Sequence, residues 1–241
     1  MADSIRTFLN EYWPYILGFV VMAGLVFLFM RLMSSAREKA ELTLKQLYHT
    51  DIELYMERLE NNKRLRLIFR RQLMALYLLD GYMKQGRDED ILRTIGKLDK
   101  MKLEPRDKVD YYQKRLSYFV SINNAEEAKK SRDMLVEYLR SVKAMEVEKY
   151  RIIAEEADTI IGVYIDRDTT MIKKLTRAAA KTKNDVMRGV CQFRIAKLYY
   201  FKGDEENCRK FLESAKRNLK DTYYEPVIEE AEKNLSILEI K

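Results

Sequence analysis

Residues 189–220 read GVCQFRIAKLYYFKGDEENCRKFLESAKRNLK, and two apolar stripes at helical spacing run through them. Phe193, Ile195, Ala196, Tyr199 and Tyr200 mark the first; Cys208, Phe211, Leu212 and Ala215 mark the second. Between them stands Lys202-Gly203-Asp204. Glycine takes the left-handed conformation that closes one helix, and the aspartate caps the next. So short a turn sets the two helices antiparallel, and one such pair cannot bury its own apolar face. It requires neighbours of its own kind, and a unit that requires copies of itself is a helical repeat.

Equivalent turns appear upstream at Gln85-Gly86-Arg87-Asp88, Asn123-Asn124 and Asp166-Arg167-Asp168. Leu79 and Tyr82 precede the first, and Ile91, Ile95 and Leu98 follow it, with Pro105 closing the unit. Leu116 and Phe119 precede the second, and Ala128 and Leu135 follow. Ile160, Ile161 and Tyr164 precede the third; Ile172, Leu175 and Ala179 follow. A last helix, Val227 to Ile240 behind Pro226, carries Ala231, Leu235 and Leu238 on one side and Glu229, Glu230 and Glu232 on the other, the pattern of a terminal cap.

The chain resembles the tetratricopeptide-type repeat, whose period is about 34 residues. With Gly189 as the first position, Ala196 falls at the family's small position, Tyr199 at its aromatic one and Gly203 at its turn. Cys208 and Ala215 occupy the small positions of the second helix. Gln192 replaces the family's tryptophan and Lys220 its closing proline. The resemblance implies that the first helices of each pair line a concave groove. Phe193, Lys197, Tyr200 and Phe201 would face it in the last unit, Leu76, Asp80, Met83 and Lys84 in the first, and Glu155, Asp158 and Asp166 in the third. Aromatic anchors with mixed charge suit an extended or helical peptide. The alternative is that Phe193 and Tyr200 only pack on a neighbouring helix. Capture of a carboxylate tail is not implied, since Leu76 and Asp80 stand where that version of the family has Lys and Asn.

Ahead of the repeats, Tyr12 to Met30 contains no charged residue, close to the roughly 20 residues that cross a bilayer. Tyr12, Trp13 and Tyr15 sit at one end, where aromatic rings prefer the headgroup layer. Pro14 is expected in the first helical turn, where no hydrogen bond is lost. A signal peptide cut after Ser34-Ser35-Ala36 and a buried core helix are the competing readings. The first lacks a basic leading region and the second lacks a polar stripe. Arg6 precedes the apolar run, whereas Arg31, Arg37, Lys39 and Lys45 follow it, which places the carboxyl-terminal bulk in the cytoplasm.

Ser34 to Glu60 reads as one continuing helix with Leu44, Leu47, Tyr48, Ile52, Tyr55 and Leu59 on its apolar face, and a break follows at Asn61-Asn62. Lys63, Arg64, Arg66, Arg70 and Arg71 then interleave with Leu65, Leu67, Ile68 and Phe69. This is either the solvated face of an amphipathic helix with its core side at Leu65, Ile68, Phe69 and Leu73, or a patch for anionic lipid or an acidic partner. Exposed aromatics, which nucleic-acid binding would want beside the cations, are not expected there.

The formal net charge of +7, from 45 basic against 38 acidic residues, is dispersed, which fits solubility or membrane attraction better than nucleic acid. Cys191 and Cys208 lack C-x-x-C spacing and read as reduced core thiols. The single histidine, His49, disfavours His-based triads and the usual zinc clusters, and the glycines are isolated rather than gathered in a phosphate loop. Carboxylate clusters such as Asp88-Glu89-Asp90 and Glu229-Glu230-Glu232 fall at helix starts or exposed faces. No enzyme, metal or cofactor is expected.

The expected protein is all-α: a short tail (1–11), a transmembrane helix (12–33), a connecting helix (34–62) and an α-solenoid of tetratricopeptide-like helix pairs with a capping helix (63–241). Its expected role is that of a membrane-anchored cytosolic scaffold that binds a protein or peptide partner. The alternatives are an extracytoplasmic repeat protein behind a signal anchor, or an anionic-lipid or nucleic-acid binder acting through residues 63–71.

Overall fold

In the computed structural model, which describes residues 2–142 and 147–240, the described chain forms thirteen α-helices and no strand. Its contacts gather in two compact units, Met1–Leu103 and Glu104–Lys241.

The first unit opens with α1, Ala2–Thr50, a single 49-residue helix. It is long and apolar enough to cross a membrane, and its most apolar window is fully exposed. The expected tail and span are therefore one element. No glycine or proline interrupts residues 2–13, so the helix runs through the expected tail, and Pro14 falls in its interior rather than in the first turn.

The helix expected over 34–60 divides at Asp51. The Asp51 side chain accepts the Leu54 N–H at 2.9 Å, which starts α2, Ile52–Asn61. An N-cap carboxylate satisfies amides that α1 would otherwise have bonded, and so competes with helix continuation. Asn62 breaks the chain where expected and caps α3, Lys63–Ile68, by accepting from Arg64 N–H. Phe69 and Arg70 are extended, and α4 follows at Arg71–Gln85. Leu65 and Phe69 are buried, while Ile68 and Leu73 are half-buried. Gly86, at φ +66°, ends α4 and turns the chain into α5, Asp88–Leu98, which packs on it.

The second unit repeats this construction. Helices α6 (Pro105–Ser121) and α7 (Ala125–Ser141) pack together across Asn123, at φ +54°. Pro105 opens α6 rather than closing the preceding pair, since a proline at the first helical position loses no bond. Helix α8 (Glu148–Ile160) continues as one π turn, Ile161–Ile165, before Arg167 at φ +53° reverses the chain into α9 (Met171–Lys181). Gly203, at φ +76°, joins α10 (Asp185–Lys202) to α11 (Glu205–Asn218), and Asp204 caps α11 by accepting from Asn207 N–H. All four turns anticipated from the sequence thus carry a left-handed residue.

The expected capping helix is split. Helix α12 (Glu225–Lys233) packs on α11, and α13 (Ile237–Ile240) packs on α10 and α12. Asn234 makes the break, its side-chain oxygen accepting from both the N–H and the hydroxyl of Ser236.

Helix α10 is the centre of this unit. Phe193 and Ala196 join Cys208, Leu212, Ala215 and Ile228 on one flank, and Ile195 and Leu198 join Val163 and Leu175 on another. Gly189 of α10 lies close against the end of α11, where an added β-carbon would lie 2.5 Å from the Cγ of Leu219, the residue that caps that helix. Gly189→Val should therefore lower stability by about 2 kcal/mol through overpacking. Gly96→Ala, where an added β-carbon meets nothing within 4 Å, should raise it by about 0.5–1 kcal/mol. Thermal unfolding of the two variants checks the contrast.

Candidate docking groove in the C-terminal unit

A groove of about 880 Å³ opens where α6, α8 and its π turn, α10 and the start of α12 meet. Val120 of α6 and Ile160 of α8 form one wall. Val186, Met187, Val190 and Phe193 of α10 form another, and Tyr223, Tyr224 and Val227 close the end. Asn184 fixes the start of α10 by accepting from Met187 N–H at 3.0 Å, which leaves Val186 and Met187 at the rim, about half exposed. Asp221, at φ +61°, turns the chain so that the Tyr223 ring stacks near Tyr224 (4.1 Å between centroids) and Tyr224 leans on Phe193 (5.4 Å). Tyr223 remains 78% exposed, a large aromatic side chain left open at the end of the groove.

The groove has one ionic feature. Arg194, 7% exposed, forms a two-pronged pair with Glu156, with Nη1 to Oε2 at 3.1 Å. Burial works to strip the Arg194 proton, but the hydrogen bonds that Arg194 donates to Glu156 and to the neighbouring Tyr164 outweigh it and hold the proton more tightly than usual. Burial likewise pushes the Tyr164 and Tyr224 hydroxyls up, so both stay protonated as donors across the physiological range. The π turn lies in this wall, and one-turn widenings of this kind recur at functional sites. Apolar walls, two neutral phenols and a neutralised ion pair suit an amphipathic helix or extended segment rather than a charged small molecule.

Of the residues expected to line a concave surface, Phe193 lines this groove, from a buried position. Lys197 does not. It is 2% exposed, with its ammonium 5.0 Å from the Tyr164 ring and 5.7 Å from that of Phe201. Tyr200 and Phe201 are half-buried against the two flanks of the core. The reason is that α10 is covered on both flanks along its middle, and only its first half borders an opening.

In the first unit, Leu76 is buried and Asp80 lines a separate 340 Å³ cavity with Glu41, Leu44, Tyr48, Tyr55 and Tyr77. Met83 is half-buried, and Lys84 donates to the Tyr48 carbonyl and sits 4.5 Å over its ring. Helix α2 packs on α4, with the Tyr55 hydroxyl donating to the Tyr77 carbonyl, and Lys84 reaches α1 by its hydrogen bond. Glu155, Asp158 and Asp166 are exposed and face Arg151, Arg132 and Lys129, respectively.

The five cations of the basic stretch, Lys63, Arg64, Arg66, Arg70 and Arg71, are all exposed. A second basic face went unnoticed in the sequence: Lys173, Lys174, Arg177 and Lys181 share one side of α9. Its signal is the run from Thr169 to Asn184, which contains no acid. Also missed were Val186, Met187 and Tyr223, whose signal is apolar character outside the core stripe. His49 is exposed and lies edge-on to Tyr48. Among the described residues, no group of three or more His, Cys, Asp or Glu is placed to hold a metal. Cys191 and Cys208 are free thiols. Burial pushes both up, Cys208 to about 11.

Comparisons with protein-family models, curated proteins and solved structures give no match.

Proposed function

We propose that the protein is a single-pass membrane scaffold whose carboxyl-terminal helical pairs stack as a tetratricopeptide-like solenoid in the cytoplasm. In this reading the groove of the second unit captures an apolar helix or strand of a protein partner. The observation that carries the proposal is the groove itself, with apolar walls and with Val186, Met187 and Tyr223 left exposed at its rim. Isolated exposed apolar residues need no explanation, but a rim of them around a cavity of this size marks an interaction site. The exposed α1 supports the anchor, and Arg31, Arg37, Lys39 and Lys45, all exposed on its carboxyl-terminal side, support the orientation. Fixing such a groove at a membrane raises its effective concentration toward anything else held there.

The test places a photoreactive residue at Met187 in the full chain, in sealed native membranes, with a second at exposed Glu137 as reference. The expected result is a protein adduct at 187, absent at 137 and cut several-fold by Val190→Asp. Equal labelling at both positions would remove the groove from consideration. Protease digestion of the second unit before the membranes are opened to the cytoplasmic side would reverse the orientation.

A further inference from the structure

We propose that α3 is a headgroup-docking element, with Leu67 and the surrounding Lys63, Arg64, Arg66, Arg70 and Arg71 seated on an anionic lipid leaflet. The inference rests on the reading of α1 as a membrane span and goes beyond the groove.

Its first support is the way α3 is held. Leu65 and Phe69 are buried in the first unit, 7% and 3% exposed, and fix the helix by one side. Leu67 points away from them. At 80% exposure it is barer than any described large apolar side chain of the apolar run itself. A leucine so presented, on a helix that the fold holds rigidly, is costly in water and favourable in a bilayer interface. Five exposed cations surround it, and no acid occurs from Asn61 to Leu79. One of them, Arg66, also donates to the Glu60 carbonyl at 2.8 Å, which steadies its end of the helix.

The second support is position along α1. After Asp51 the chain folds back, because Tyr55 of α2 lines one cavity with Leu44 and Tyr48 of α1. Helix α3, beyond the far end of α2, touches α1 again. The Phe69 ring meets Tyr77 edge-on at 5.6 Å, and Tyr77 shares the cavity wall with Glu41. Glu41 lies eight residues past Met33, where the expected span ends, or about 12 Å at 1.5 Å per residue. The headgroup layer occupies about 5–7 Å of that distance, and the Debye length at physiological salt covers about 8 Å more. The cations of α3 therefore stand within electrostatic reach of the leaflet from which α1 emerges.

Lipid is favoured over nucleic acid by the same geometry. Binding to single strands uses exposed aromatic faces beside the cations, and the one aromatic of the stretch, Phe69, is buried. An apolar tip ringed by cations matches a phosphatidylserine-bearing interface, where acyl chains lie beneath anionic headgroups.

The experiment uses the full chain reconstituted in vesicles whose lipids carry bromine near the headgroup end of the acyl chains. The native Trp13 reports the anchor. A double variant, Trp13→Phe with Leu67→Trp, reports α3, and the exposure of Leu67 lets the larger ring fit without repacking. Emission from the introduced indole is expected to fall by roughly half in phosphatidylserine-containing vesicles at about 0.1 M salt. It should recover at about 1 M, where the Debye length is about 3 Å. Pure phosphatidylcholine, or Arg64→Glu with Arg70→Glu, should reduce the quenching several-fold. Quenched Trp13 in the parent chain, with an unquenched indole on α3 in the variant, would overturn the docking role and leave the anchor standing. If neither is quenched, the anchor fails and the docking role with it. Quenching on α3 that ignores lipid charge and salt, or a response there to oligonucleotide in place of vesicles, would also overturn it.

Discussion

Glu156→Ala is expected to destabilise the second unit by about 3 kcal/mol, because it strands a guanidinium in the groove floor. Arg194 is 7% exposed, and its Nε has no hydrogen-bond partner, so Glu156 supplies most of its compensation. Removing one member of a buried pair costs about 3–5 kcal/mol. The Glu156 side chain is 41% exposed, so water takes over part of its work, which places the loss at the lower end of that range. Hydrogen exchange of the full chain reads the effect locally. The α8 and α10 amides should open about a hundredfold more readily, since each 1.4 kcal/mol is a factor of ten. Adding Arg194→Met to Glu156→Ala should recover most of the loss, because the orphaned charge disappears. A double variant no better than the single one would mean that Arg194 stabilises through its packing rather than through the pair.

This ion pair was invisible in the sequence. Glu156 and Arg194 are 38 residues apart on different helices, and each reads as an ordinary surface charge. The helix pairs themselves were legible because they are encoded locally. Gly86, Asn123 and Gly203 tolerate positive φ, and the apolar stripes on either side fix the helix faces. Arg167 adopts the same conformation without the steric freedom, and only the turn's spacing from its neighbours revealed it.

Not legible in the sequence was the choice between stripes. Helix α10 is apolar on two flanks, and periodicity alone does not tell which flank a partner leaves open. Lys197, Tyr200 and Phe201 lie where the helix is packed on its flanks, whereas Val186 and Met187 line the opening. The breaks at Asp51 and Asn234 failed for a related reason. A single capping side chain outcompetes a continuous apolar pattern at those positions, and it leaves no mark on the pattern.

The charge state of Lys197 provides the second large effect. Burial, and then the nearby Arg167 cation, lower its pKa from 10.5 to about 8, with Glu239 offsetting part of the shift. Between those two pH values the unfolded chain binds the proton and the folded chain releases it, so this group's contribution to stability rises with pH. At pH 7 the folded protein still carries the ammonium, at a cost of about 3 kcal/mol relative to a freely hydrated lysine. Lys197→Met removes that cost and should be the more stable chain at pH 7. The advantage should shrink by about 2 kcal/mol at pH 10, where folded Lys197 is already neutral. Other groups act oppositely over this window. The buried Cys208 thiol, at about 11, and the raised tyrosines hold protons that the unfolded chain gives up, and so lose stability as pH rises. These contributions are common to both chains and cancel in the comparison. In thermal unfolding, the gap between variant and parent should close by roughly 4–8 °C from pH 7 to pH 10, at about 2–4 °C per kcal/mol for a domain of this size. A gap that stays constant would place the Lys197 ammonium in contact with water, and with it open the face of α10 that Tyr164 and Phe201 now cover.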